Sequence, residues 1–166
     1  MLYEELLSLA DQEGLIVREK DLIDNDGRIK NDRVAIRRDM TTVRKACTLA
    51  EELGHHFTTV GDILDQSDVS NRKQEAKARL WSYEMMIGLD GLIRAFEHGC
   101  RNRYEIAEYL DVTEELLQEA VDRWERIYGT GWIRHGQYLV SFANRISIIR
   151  IFSNEKDRHS GHYDGQ

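Results

Sequence analysis

Proline is absent from this chain of 166 residues, so element boundaries have to be found from glycine, asparagine and the periodicity of apolar residues. Cysteine is scarce. Cys47 and Cys100 stand far apart with no CxxC partner, which excludes a disulfide framework and a thiolate zinc cluster and fits a reducing cytoplasm. Long apolar runs are missing as well, and none approaches the roughly 18 residues that a membrane-spanning helix needs. The opening residues, MLYEELLSLADQEG, carry acids where a secretory signal carries basic residues, so a soluble cytoplasmic protein is expected. Positive charge is in deficit, with 23 Lys and Arg against 30 Asp and Glu. The resulting net charge of -7 and pI near 5.4 argue against a protein held to nucleic acid mainly by counterion release. What the chain does have is 41% hydrophobic residues, enough to bury one compact core.

Leu2, Leu6, Leu7 and Ala10 recur at helical spacing, and Gly14 is placed to end that helix. The next stretch, LIVREKDLIDNDGRIKNDRVAIRRD, mixes short apolar runs with two turn signals, DNDG and KND, and predicts short strands in a small antiparallel sheet. Val43, Ala46, Cys47, Ala50, Leu53 and Phe57 follow the helical period, with Thr41 or Thr42 as the N-cap. A polar connection, TTVGDILDQSDVSN, leads to a helix from about Arg72 to Met86, and LDGLIRAFEHGC should end another near Gly99. The segment NRYEIAEYLDVTEELLQEAVDRWERIYG holds two helical patterns split at Asp111, Val112 and Thr113, with Thr113 as an N-cap and Glu114 and Glu115 in the favourable first turn. GQYLVSFANRISIIRIF is strand-rich, and residues 153–166, with little apolar content, are expected to form a flexible tail.

Chemistry concentrates in CTLAEELGHHFTTVGD, residues 47–62, in the last turns of the core helix. Residues four apart share a helix face, so Glu51 and His55 can reach one metal ion while Glu52 sits one position round, near a bound water. His56 lies five positions from Glu51, about 140° round the helix, and is the poorer ligand. On spacing alone such a pattern is more often a solvated polar face whose carboxylates pair with nearby Arg or Lys.

LAEELGHHFTTVGD, followed by NRKQEAKARLWSYEMMI, resembles the ImmA/IrrE family of small metallopeptidases associated with phages and mobile elements, over roughly residues 1 to 150. Members carry HExxH on a core helix after a short sheet, then a downstream helix whose glutamate completes the site. The elements and the resemblance together imply an α+β fold: a mostly helical, zincin-like core with a small sheet over residues 1–99, then a helix-turn-helix-like region and C-terminal strands over 100–152 packed on it. Carried over residue by residue, Glu51 falls on the first histidine ligand, Glu52 on the catalytic glutamate, His55 on the second histidine, and Glu75 of RKQEAKARLW on the downstream ligand. Glu84, on the same helix, competes with Glu75 for that last role.

The resemblance implies a metal-dependent endopeptidase whose motif is present as EELGH. Its cofactor is a divalent metal, zinc first, with manganese or iron as alternatives. Its partner is a protein, a helix-turn-helix repressor of a phage or mobile element whose cleavage releases silenced genes, with no direct nucleic-acid partner and no membrane. Glu51 changes the chemistry: two carboxylates and one imidazole bring the charge around a divalent ion to about zero instead of about +1, so a bound water is acidified less. More oxygen donors also favour harder ions. A second reading follows from Glu51, a non-catalytic protein that uses the same fold to hold a repressor or toxin-like partner.

The helix-turn-helix pattern does not point to DNA. Residues 101–128 hold four Arg against eight acids, and such a surface repels phosphate, so a packing or partner-recognition role is expected. Tyr104, Ile106, Ala107, Leu110, Val112, Leu116, Leu117 and Val121 are core candidates there, as are Trp81 and Tyr83 on the helix after Glu75. His98 suits a helix C-terminus, His135 a turn, and His159 and His162 the tail. Arg37 and Arg38, in RRDMTTVRK, are cations that can steer an acidic segment of a protein partner.

Overall fold

The structure, a computed structural model, describes residues 2–59 and 68–152, with 59 and 68–71 as backbone only. Helix α1 (Tyr3–Gln12) buries Tyr3, Leu6 and Ala10 on one face, and Gly14 turns the chain out of it at φ 74°. Strands β1 (Ile16–Lys20), β2 (Gly27–Lys30) and β3 (Arg33–Arg37) follow. The KND signal forms the β2–β3 turn, where Asn31 takes φ 55°, a left-handed conformation asparagine tolerates. β3 is central, antiparallel to β2 and parallel to β1. The expected antiparallel pairing therefore describes β2 and β3 but not β1. β1 ends beside Arg37, β2 starts from that same end beside Ile36, and β3 returns between them, which makes it run with β1.

Helix α2 (Thr42–Thr59) packs Ala46, Leu49, Ala50 and Leu53 inward, and of the two candidate caps it uses Thr41, whose Oγ1 accepts from the Arg44 N–H at 3.2 Å. α3 (Asp68–Met86) begins four residues ahead of the expected Arg72. α4 (Gly88–His98) ends where Gly99 turns left-handed at φ 96°. α5 (Arg103–Leu110) and α6 (Glu114–Tyr128) are split as the sequence indicates, with Asp111 at φ 55° and Thr113 Oγ1 accepting from the Leu116 N–H at 3.1 Å. β4 (Ile133–His135), β5 (Tyr138–Ser141) and β6 (Ser147–Arg150) make a second, antiparallel sheet in that order. Most of the polar connection, residues 60–67, and the expected tail, with His159 and His162, lie outside the described residues.

One buried apolar cluster runs from Tyr3 to Phe142 and joins both sheets to the helices, giving the expected mostly helical α+β fold. Val34 and Ile36 face it from β3, and Trp124 joins α6 to the second sheet, 5.3 Å from the Phe142 ring. Tyr104 does not belong to the core: at 59% exposure it points to solvent, and the aromatic that α6 buries is Trp124. Tyr83 is buried and Trp81 is half-buried, stacked on Phe57 at 4.9 Å. His98 closes α4 and stacks on Tyr109. His135 ends β4 instead of lying in a turn, held by Asp90 Oδ1 2.6 Å from its Nε2, and the turn falls at Gly136. Cys47 and Cys100 are free thiols, and no described helix is long and apolar enough to cross a membrane.

Candidate metal centre

Two glycines set how closely the neighbouring elements approach α2. At Gly54, an added Cβ would lie 2.3 Å from the Ala78 carbonyl oxygen, so α2 and α3 cross in a contact that only glycine permits. At Gly27, at the start of β2, an added Cβ would lie 2.5 Å from Thr48 Cγ2 and 2.8 Å from Glu52 Oε1. The first close approach brings Glu75 of α3 to the Glu51–His55 face of α2. The second brings the β2 backbone against Glu52.

Glu51, His55 and Glu75 each present a ligand atom, and these atoms lie within 4.8 Å of one another. His55 Nε2 is 3.3 Å from Glu75 Oε2. Glu84, the rival for the downstream position, instead accepts the Trp124 indole N–H at 2.8 Å. His56 turns away to Glu13, 3.6 Å from its Oε2, and packs edge-on against Phe57. The donor set fits a divalent cation: two carboxylates and an imidazole from two adjoining helices, each with an atom near one point.

Arg79, one turn after Glu75, is a residue the sequence reading passed over. Its Nε lies 2.8 Å from Glu75 Oε1 and 3.3 Å from Glu51 Oε1, and its guanidinium reaches Glu119 of α6 at 3.7 Å. Glu119 in turn accepts from the Tyr83 hydroxyl at 3.0 Å, and burial, with that hydrogen bond adding to it, pushes the Tyr83 phenol well above its usual range. The signal in the sequence was the i, i+4 spacing of Glu75 and Arg79.

Electrostatics single out Glu52. Burial pushes its carboxyl up to about 7, the Glu51 charge adds to that rise, and a hydrogen bond from the Ile29 backbone N–H opposes it. Glu51 is also raised by burial, with Arg79 pulling it back. A carboxyl held near neutrality beside a group of ligand atoms is suited to take up and release a proton.

An α+β core in which two carboxylates and a histidine converge beside a glutamate with a raised carboxyl is the arrangement of a metallopeptidase-type domain. Residues 10–122 match the family model of the IrrE N-terminal-like domain, Peptidase_M78, and the chain belongs to that family. Membership makes it a metallopeptidase-type, IrrE-like regulator and implies a divalent metal, usually zinc, and a protein substrate or partner. No curated protein and no solved structure matches it.

Proposed function

We propose that the protein is a metal-dependent endopeptidase that cleaves a helix-turn-helix repressor of a phage or mobile element, with Glu51, His55 and Glu75 as metal ligands and Glu52 as the general base. The observation that carries this reading is the convergence of the three ligand atoms within 4.8 Å with the raised Glu52 carboxyl beside them. A divalent ion bound there, zinc first among the candidates, would polarise the scissile carbonyl and acidify the attacking water. Glu52 takes the proton from that water onto its carboxylate and returns it to the leaving amine nitrogen. The Ile29 N–H fixes the carboxyl against β2, and burial keeps its proton affinity near that of the medium. Arg79 supplies a positive charge that offsets the extra carboxylate Glu51 brings in place of a histidine.

A second reading, a non-catalytic protein that binds a repressor, draws on that same arginine. Arg79 already neutralises Glu51 and Glu75 at 3.3 and 2.8 Å, so the cluster is self-consistent without an ion. Elemental mass spectrometry on untagged protein separates the two. About one ion per chain, lost in Glu75→Ala and retained in Glu52→Gln, is expected, together with repressor cleavage that Glu52→Gln abolishes. Protein that takes up neither zinc nor manganese leaves the binding reading in its place.

A further inference from the structure

The outer face of the first sheet carries a charge pattern that the metal centre does not use. Alternate residues of a strand point to opposite faces. Val34 and Ile36 point inward, at 2% and 0% exposure, so Arg33 and Ala35 point out. The register then aligns Ile16, Arg33 and Lys30 in one cross-strand row and Arg18, Ala35 and Arg28 in the next, with Lys20 further along β1. Five exposed cations, Arg18, Lys20, Arg28, Lys30 and Arg33, thus share one face of a chain whose net charge is -7, and Arg37, across from Lys20 and paired with Asp26, closes the far end of that face.

None of the five makes an ion pair or a side-chain hydrogen bond among the described residues, and Asp32 in the adjoining turn pairs with none of them. Their neighbours differ. Arg37 and Arg44 share Asp26, Arg38 meets Asp21, and Lys45 meets Glu19. Lys30 lies directly across from Arg33, and like charges opposite one another weaken a strand pair. In the second row the small Ala35 leaves a shallow depression of about 470 Å³. A basic face assembled against the sign of the whole chain, at some cost to its own sheet, is complementary to an external anion.

We propose that this face docks an acidic peptide segment of the protein on which the chain acts. The occupant is a peptide and not nucleic acid for three reasons. The face holds no aromatic side chain on which a base could stack. Three strands span only about 10 Å, so a duplex would overhang onto the acidic remainder of the molecule. An extended segment with carboxylates at alternate residues repeats at about 6.6 Å, the spacing of Arg18 and Lys20 on β1 and of Arg28 and Lys30 on β2. The Ile29 backbone N–H of β2 holds Glu52, so a segment bound on the outer face is anchored on the strand that borders the site helix. The cations that steer the partner are therefore these five, not the already paired Arg37 and Arg38. This inference rests on the reading that the partner is a protein.

Fluorescence anisotropy with the full chain tests it, using a labelled peptide that alternates Glu and Ser and, in parallel, a short DNA duplex. The peptide is expected to bind the wild type, to weaken as salt rises, and to bind about tenfold more weakly to the Arg18→Glu, Arg28→Glu double variant. The neutral Arg18→Ser, Arg28→Ser pair should fall in between, and both variants should stay folded with wild-type metal content, since these side chains are exposed on the face turned away from the ligands. No binding to the wild type, equal binding to wild type and variants, or tighter binding of the duplex than of the peptide would overturn the proposal. Running the peptide assay also on Glu75→Ala keeps the two readings apart: a failed metal site leaves peptide binding intact, whereas a failed docking face leaves metal content intact.

Discussion

Two regions of this molecule are rich in acid, and they behave differently. Along α5 and α6 the carboxylates work at the surface: Glu105 bonds the Arg101 N–H and Asn102 at the start of α5, Glu114 reaches Arg103 at 3.6 Å, and Glu114 and Glu115 sit where the α6 dipole favours them. Along the α2–α3 seam, Glu51, Glu52 and Glu75 are partly withdrawn from water, and Glu51 and Glu75 converge with His55 and share a single arginine. The count of acids is larger in the first region, and the convergence lies in the second. Convergence and burial, not composition, separate a site from a solvated face.

The largest effect is expected at Gly54. Replacing glycine by alanine inside a helix ordinarily stabilises by about 0.5–1 kcal/mol. Here the new Cβ meets the Ala78 carbonyl oxygen at 2.3 Å, a backbone atom that cannot rotate away, so the sign inverts. Gly54→Ala should lower the unfolding free energy by about 3 kcal/mol in urea titrations and abolish metal uptake. Glu108→Ala, on the exposed side of α5, should stay within about 0.5 kcal/mol. A Gly54→Ala protein as stable as wild type would mean that the close helix crossing does not hold the seam together.

The metal-free protein should also lose stability as pH rises. The fold holds the Glu52 carboxyl near 7 against an ordinary 4.5, so it favours the protonated form. That contribution is fully present below about 4.5 and is lost as pH climbs through about 7. Its ceiling is about 3 kcal/mol, and with part of the carboxyl open to water about 1–2 kcal/mol is expected between pH 5 and pH 8. Thermal melts of chelator-treated protein should show this decline, and Glu52→Gln should flatten it. An unchanged slope in Glu52→Gln would place the titrating group elsewhere.

Removing Arg79 leaves Glu51, Glu75 and Glu119 facing one another without their shared cation. Arg79→Ala should cost about 1 kcal/mol in the metal-free protein, and more at pH 8 than at pH 5, because burial raises the Glu51 carboxyl and Arg79 holds it down. Arg103→Ala, which frees only the exposed Glu114 and Gln118, should cost less than about 0.5 kcal/mol. Equal losses in chemical denaturation would erase the distinction between the two acid-rich regions.

Much of this was legible in the sequence, because short-range rules govern it. The period of Val43, Ala46, Ala50 and Leu53 fixed the buried face of α2, and with it the face that carries Glu51 and His55. The split before α6 was legible from Thr113 alone. What needed the fold was which long-range neighbour each side chain would find. Glu75 and Glu84 are nine residues apart, about half a turn out of phase, so only one could face α2, but periodicity does not say which. The packing of Trp124 against Glu84 decides it. Likewise, alternation in IVREK, GRIK and RVAIR sorts residues into two faces, yet the parallel addition of β1 to β3, and hence the alignment of cations across three strands, depends on strand order. Tyr104 misled for a related reason: it lies in line with Ala107 and Leu110, which are buried, but in the first turn of α5 its own side chain points to solvent.

The smallest effect is expected at Thr113, and it tests whether the two regions are independent. Thr113 Oγ1 accepts the Leu116 N–H at 3.1 Å, one of the donors that the first turn of α6 cannot satisfy internally. Thr113→Ala should cost about 1 kcal/mol or a little less, since Glu114 and Glu115 still complement the helix dipole. Metal content should not change, because the only described α6 carboxylate at the seam, Glu119, reaches the outer side of Arg79 at 3.7 Å and is not among the three convergent ligands. Elemental analysis of Thr113→Ala alongside its melting curve checks both halves. Should metal content fall in step with stability, α6 would be part of what holds Glu75 against His55, and the helical region would have to be counted as a wall of the site instead of a neighbour to it.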